Sequence, residues 1–187
     1  HGSVRRVELN ADGRSVKKGA PIVHVAGIAR GEPRPKADSP VYGSQFCEGP
    51  YLHFNNGKWY MFVSHGAWGD HTYRMLVGRA DSLDGEFLDK QGRKLSEGWG
   101  TLVLSSGKDD ELYGPGHNGE IFVTPSGRNF MLYHCHTKKM KPSARPMCLQ
   151  EIFWGADGWP YFGNGGKPVQ KGEIDLAEIP LPEHPRP

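Results

Sequence analysis

Apolar and polar positions along this chain come in short alternating runs, separated by turns rich in Gly, Asn and Asp. Residues 51–54 read Tyr-Leu-His-Phe, then Asn55-Asn56-Gly57, then Lys-Trp-Tyr-Met-Phe-Val-Ser over 58–64. Asn and Gly tolerate the positive φ angles of a tight turn, so this stretch is predicted to be a β-hairpin. A third strand is predicted over 73–79. The layout then returns: a strand over 119–123, the turn Thr124-Pro125-Ser126-Gly127, a strand over 128–135 and a third strand over 147–154. Each third strand leads to an Asp-Gly turn, Asp84-Gly85 and Asp157-Gly158, and then to an aromatic-containing edge segment. The N-terminal stretch ending in Asp12-Gly13 reads as the close of an earlier copy. The three Asp-Gly turns, at 12, 84 and 157, are thus 72 and 73 residues apart. Four-stranded units repeating at this period predict an all-β fold of the β-propeller type. A single β-sandwich is the competing architecture.

Composition narrows the class. The chain has 187 residues, enough for one domain with a sizeable core. Its 26 glycines and 15 prolines, with little helical periodicity, suit a turn-rich all-β protein. A net charge of +2 is too mild to point to nucleic acid. No apolar run is long enough for a membrane-spanning helix. Three cysteines, Cys47, Cys135 and Cys148, form neither a disulfide framework nor a zinc spacing. Cys135 and Cys148 can face each other across a hairpin near Lys141, but two small buried apolar residues are the reading preferred here. Cys47 beside Glu48 reads as core packing rather than as a nucleophile. His1-Gly2-Ser3 reads as a tag remnant, with residues 4–162 as the propeller domain and 163–187 as a C-terminal extension. The Pro-rich segment 32–38 reads as a connector in preference to a rim of the cleft beside the Glu48 strand.

Several stretches resemble glycoside hydrolase family 43, above all its arabinan-degrading members. They are Ser44-Gln-Phe-Cys-Glu-Gly-Pro-Tyr51, Thr72-Tyr-Arg-Met-Leu-Val-Gly-Arg79 with Asp84-Gly85, Gly100-Thr-Leu-Val-Leu-Ser-Ser106, Gly114-Pro-Gly-His-Asn118, and Asp157-Gly-Trp-Pro160. They follow the family's order from about residue 4 to 162. The resemblance implies a five-bladed β-propeller, of which this chain supplies about two and a half four-stranded blades. It also implies an inverting glycoside hydrolase acting on α-L-arabinosyl linkages of arabinan or arabinoxylan. Such an enzyme needs two carboxyl groups. One donates a proton to the leaving oxygen, and the other activates water on the opposite face.

By motif, Glu48 in Glu48-Gly49-Pro50 matches the family's general acid. Read without the resemblance, a Glu before Gly-Pro is an ordinary solvated turn residue. The resemblance also implies that His117 reaches a calcium-like, largely water-coordinated cation on the propeller axis. One histidine is a poor calcium ligand set, and a hydrogen-bonded core histidine is the plain alternative. Trp68, Asp70, His71 and Tyr73 crowd the loop after the first hairpin. Aromatic faces and polar edges there suit a sugar subsite, and equally suit packing between blades. Trp99 carries the same two readings. Gln150, on a third strand, is a further cleft candidate.

The chain departs from the family pattern upstream of Glu48. The resemblance implies a base aspartate in a first blade and an acid-orienting aspartate in a second. Only 47 residues precede Glu48, and Asp12 and Asp38 are not in strand-start settings. Asp70 and the Asp109-Asp110 pair are the other sources of a base. A part-propeller also leaves apolar faces and strand edges open. The expected partners are therefore an arabinose-containing polysaccharide or oligosaccharide and either a second copy of the chain or a complementary N-terminal propeller half. A non-catalytic carbohydrate-binding half-propeller is the alternative function. The substrate class favours a secreted or periplasmic setting, although no signal peptide is visible.

Overall fold

A computed structural model describes residues 2–29, 32, 46–139 and 144–169. The segment 33–38, the hairpin tip near Lys141 and the chain beyond residue 169 lie outside the described residues. The fold is all-β, in successive antiparallel blades, as the repeat predicts. β1 (Ser3–Arg6) and β2 (Val23–Gly27) form a two-stranded sheet. β3 (Cys47–Asn55), β4 (Lys58–His65), β5 (Arg74–Ala80) and β6 (Thr101–Leu104) form a four-stranded blade in chain order. The last blade holds β7 (Leu112–Gly116), β8 (Ile121–Val123), β9 (Asn129–Thr137), β10 (Met147–Trp154) and β11 (Pro160–Phe162). The first residues, expected as a tag remnant, take part in the sheet: Ser3 pairs with Gly27, and the Gly2 carbonyl accepts from the Cys47 amide at 2.9 Å.

Local chemistry accounts for the hairpins. Asn56 and Gly57 have φ of 48° and 76°, and Asn55 pairs with Lys58. Two consecutive positive φ values are what a two-residue hairpin turn requires. The second turn is closed by the Thr124 amide donating to the Arg128 carbonyl at 2.8 Å. The strand expected over 119–123 is shorter and has a predecessor. β7 and β8 both pair with β9, and the chain leaves the ladder between them. His117 sits at that break with φ of 49°, and its amide donates to Ser64 Oγ at 2.7 Å instead of to a strand partner.

β4 shows why the blades stack. Its Tyr60 and Phe62 pack with Met75, Val77, Met131, Tyr133 and Ile152, between the two larger blades. Its Met61 and Val63 pack with Val25, Ala26, Cys47, Leu76 and Leu95, toward β2. A strand buried on both faces reads as a continuous apolar run, which is the sequence of β4. Polar clasps reinforce the stacking. Arg6 donates to the carbonyls of Leu83 (2.6 Å) and Asp84, at the next blade's Asp-Gly turn. Arg79 does the same one blade on, donating to the Asp157 carbonyl at 3.1 Å while its guanidinium lies 4.6 Å from the Trp159 ring centre. The Asp-Gly turns that mark the repeat in the sequence are therefore also where one blade grips the next.

Candidate functional site

The site grows from a bulge that occurs twice. On β3, Glu48 pairs with Ser64 and Tyr51 with Phe62, so Gly49 and Pro50 together face one residue of β4. On β7, Tyr113 pairs with His136 and Gly116 with His134, so Gly114 and Pro115 together face one residue of β9. Gly49 and Gly114 have φ of 59° and 60°. An extra residue in the left-handed region is available to Gly at little cost, and Pro suits a position that owes the ladder no N–H. The bulge turns the side chain before it, Glu48 in one blade and Tyr113 in the next.

Around Glu48 the structure assembles side chains from both larger blades. The Tyr73 hydroxyl, just before β5, donates to Glu48 Oε1 at 2.8 Å. Tyr73 is fully buried. Burial first, and the hydrogen bond to Glu48 second, push its acidity well below that of an ordinary phenol, so it stays a donor. His117 Nδ1 is 3.9 Å from Glu48 Oε1, and the His117 ring stacks on His134 of β9 at 5.8 Å. The His134 ring in turn lies parallel to Tyr73 at 6.0 Å. Arg145 approaches His134 Nε2 at 3.4 Å and lies 5.2 Å from the exposed Trp68 ring. Burial, followed by the Arg145, His117 and His136 charges, lowers the His134 pKa to about 4. A neutral His134 is therefore the form that stacks between Tyr73 and His117 at neutral pH. Glu48 and His117 keep 41% and 52% of their side-chain surface exposed, so both face open space.

The other predicted residues take distinct places. The Trp68 carbonyl lies 2.9 Å from His136 Nε2, which ties its loop to β9. The Asp70 carboxylate accepts from the Thr72 amide at 2.7 Å and from the Thr72 hydroxyl at 2.5 Å, shaping that loop. His71 is half-buried between them. Gln150 is buried: its carbonyl accepts from the Tyr133 hydroxyl at 2.6 Å, and its amide donates to the Lys167 carbonyl at 3.1 Å. Both its polar ends are thus taken up within the last blade. Trp99 lies under the Arg93 guanidinium at 3.9 Å. Asp12 accepts from the Arg14 amide in its turn, and Asp110 from the Gly107 amide and Lys167. Asp38 lies outside the described residues. Cys47 is buried, and burial, with the Glu48 charge second, makes its thiol a much weaker acid than usual, which suits packing rather than attack.

Sequence reasoning missed His134, His136 and Arg145. The available signal was the alternation His134-Cys-His136, which puts both imidazoles on one face of a strand.

As to a metal, no three His, Cys, Asp or Glu side chains converge among the described residues. His117 offers one nitrogen where calcium prefers several oxygens. The described residues do not by themselves fit a calcium site.

Residues 1–160 match the family model described as glycosyl hydrolases family 43. An extracellular exo-α-(1→5)-L-arabinofuranosidase from Cellvibrio japonicus is 29% identical over 136 residues, which are 71% of this chain and 38% of that protein. An extracellular endo-α-(1→5)-L-arabinanase from Bacillus subtilis is 32% identical over 118 residues, 62% of this chain and 34% of its own. Among solved structures, the Cellvibrio cellulosa α-L-arabinanase complexed with arabinohexaose superposes with a TM-score of 0.66 at 25% identity, over 82% of this chain and 47% of that one. The chain therefore spans less than half the length of these relatives.

Proposed function

The chain belongs to glycoside hydrolase family 43, and from that premise we propose that it carries the acid-bearing part of an inverting hydrolase for α-L-arabinosyl linkages of arabinan or arabinoxylan. Glu48 is the general acid. The observation that carries this reading is the hydrogen bond from buried Tyr73 to Glu48 Oε1, on a carboxyl group that is still open to solvent. Tyr73 occupies one oxygen and fixes the plane of the carboxyl group. Oε2 is then the atom that bears the proton and delivers it to the leaving oxygen. His117 and His134 stand on the Oε1 side of Glu48, and Trp68 with Arg145 offers an exposed aromatic and cationic surface on which a sugar ring can lie. In this proposal Tyr73, first expected to touch substrate, acts through Glu48.

Inversion also requires a base that activates water across the sugar ring. Asp70 and Asp110 are each engaged in local turns, so the reading takes the base from further blades, whether on the same polypeptide or on a partner chain. No chemical step rests on a metal. His117 as the lone protein contact of a water-coordinated cation remains a separate proposal, which predicts that a chelator lowers the melting temperature of the wild type and not of His117→Ala.

The test is Glu48→Gln in the assembled enzyme, assayed on linear arabinan. Gln keeps the shape and accepts from Tyr73 but has no proton to give. General acid catalysis is worth roughly 10²–10⁴-fold, so turnover should fall by that order while binding is retained. The loss should be smaller on a nitrophenyl arabinoside, whose leaving group needs little protonation. Full activity of Glu48→Gln on arabinan rules out the assignment. Wild-type protein that binds arabinan and never cleaves it establishes the carbohydrate-binding alternative.

A further inference from the structure

Cys135 on β9 and Cys148 on β10 are both free thiols, and their sulfur atoms are 2.9 Å apart. That is well inside the van der Waals contact of two sulfur atoms. The backbone explains the approach. Cys148 pairs with Tyr133, and the Cys135 amide donates to the Pro146 carbonyl at 3.3 Å, so the two cysteines sit two residues off register, diagonally across neighbouring strands and on the same face. A diagonal pair of this kind lies within reach on a twisted ladder. The two differ in access. Cys135 is fully buried in the core between the blades, whereas Cys148 packs at the edge of that core and is only partly buried.

We propose that Cys135 and Cys148 form a disulfide that cross-links β9 to β10 when the protein meets a disulfide oxidant such as oxidised glutathione. The Cys148 thiolate attacks one sulfur of the oxidant, forming a mixed disulfide and expelling one glutathione thiolate. The Cys135 thiolate then attacks Cys148 Sγ and expels the second glutathione. Two protein thiols are oxidised, one glutathione disulfide is reduced to two thiols, and the two protons released by the cysteines pass to the two leaving thiolates. The order follows from access, since the less buried Cys148 meets the oxidant first and the fully buried Cys135 resolves it. The Cys135 S–H, donating to Cys148, also lowers the Cys148 pKa and favours the thiolate needed for the first attack.

The consequence reaches the candidate site. Cys135 lies between His134 and His136, so the cross-link pins the register of the strand that supplies the imidazole stacked on Tyr73. The proposal does not depend on the hydrolase reading.

Folded wild-type protein is incubated with oxidised glutathione, quenched in acid, denatured, alkylated with a maleimide and weighed intact. The expected product carries one maleimide, on Cys47, and digestion yields a linked peptide pair containing Cys135 and Cys148. Dithiothreitol restores three alkylated thiols. The melting temperature rises on oxidation of the wild type and is unmoved in Cys148→Ser. Three maleimides after oxidation, or a stable glutathione adduct on Cys148 that Cys135 never displaces, overturns the proposal. The mass readout needs only wild-type protein, so it stands even where Cys148→Ser fails to fold.

Discussion

Three glycines with the same backbone sign and different surroundings allow the bulge to be weighed directly. Gly127, Gly49 and Gly114 have φ of 84°, 59° and 60°. An added Cβ at Gly127 meets nothing within 4 Å; at Gly49 it meets the His117 ring at 3.2 Å; at Gly114 it meets the Asp70 carbonyl oxygen at 2.5 Å. An L-residue held in the left-handed region costs about 1–2 kcal/mol, and this is all that Gly127→Ala should lose. Gly49→Ala adds a contact that the half-exposed imidazole can relieve by a few tenths of an ångström, so its loss should be only slightly larger. Gly114→Ala presses on backbone that cannot swing away, and overpacking of that kind adds about 1–3 kcal/mol, for a total of about 2–5 kcal/mol. At roughly 2–4 °C per kcal/mol for a domain of this size, the order should be plain in melting curves followed by circular dichroism. Urea titration gives the same ranking as free energies. The substitutions should also separate by function: Gly49→Ala displaces His117 beside Glu48 and lowers activity more than its small stability loss explains. Equal losses for all three alanine variants would refute the argument that the Gly114 bulge is locked against the Asp70 loop.

Acid should unfold the protein partly through its buried histidines. Burial, with the Arg74 charge second, lowers the His65 pKa to about 3, so the fold favours its neutral form. The unfolded chain binds that proton below its ordinary pKa near 6.5, and stability therefore falls as pH drops from about 6.5 toward the folded value, by at most about 1.4 kcal/mol per pH unit from this group. Melting temperature measured against pH should show a shallower acid limb for His65→Gln, and an unchanged limb counts against the assignment. Arg79→Ala removes both the hydrogen bond to the Asp157 carbonyl and the contact over Trp159, and should cost about 1–3 kcal/mol in urea titration, with Arg79→Lys keeping only part of the stability. Arg6→Ala breaks the clasp one blade earlier, so the double variant should lose the sum of the two.

Much of the fold was legible because each blade repeats its own local signals. Asn55-Asn56-Gly57 permits one kind of turn, and the Asp-Gly turns marked the period before their role as clasps was visible. β7 was not legible, because Leu112-Tyr-Gly-Pro-Gly116 contains two glycines and a proline and only pairing with β9 makes it a strand. β8 begins later than expected because His117 leaves the ladder. In the site, Glu48 and His117 could be chosen from motifs. The involvement of His134 and Arg145 could not, since it depends on how β9 and the segment before β10 lie against a strand more than fifty residues earlier. Tyr73 was found, but whether it faces solvent or core is a property of packing between blades, which no local pattern encodes.

The two bulges carry the argument about function one step further. Glu48-Gly-Pro and Tyr113-Gly-Pro have the same two-against-one pairing and nearly the same glycine φ, yet they present different side chains. Tyr113 stacks on His136 at 5.0 Å and closes over its own blade, whereas Glu48 meets a tyrosine hydroxyl from just before β5 and a histidine from the break between β7 and β8. The bulge therefore supplies a direction, not a chemistry. What separates a structural position from a candidate acid is the residue before the glycine and the donor waiting for it. In the blade of β3 to β6 that donor is Tyr73, and Gly116 makes room for it: a Cβ on Gly116 would stand 2.4 Å from the Tyr73 ring and 2.9 Å from Ser64 Oγ. Glycine there holds no special backbone angle. Its absence of a side chain lets the last blade come close enough to seal Tyr73 against Glu48, so the surroundings of Glu48 in one blade are finished by the packing of the next.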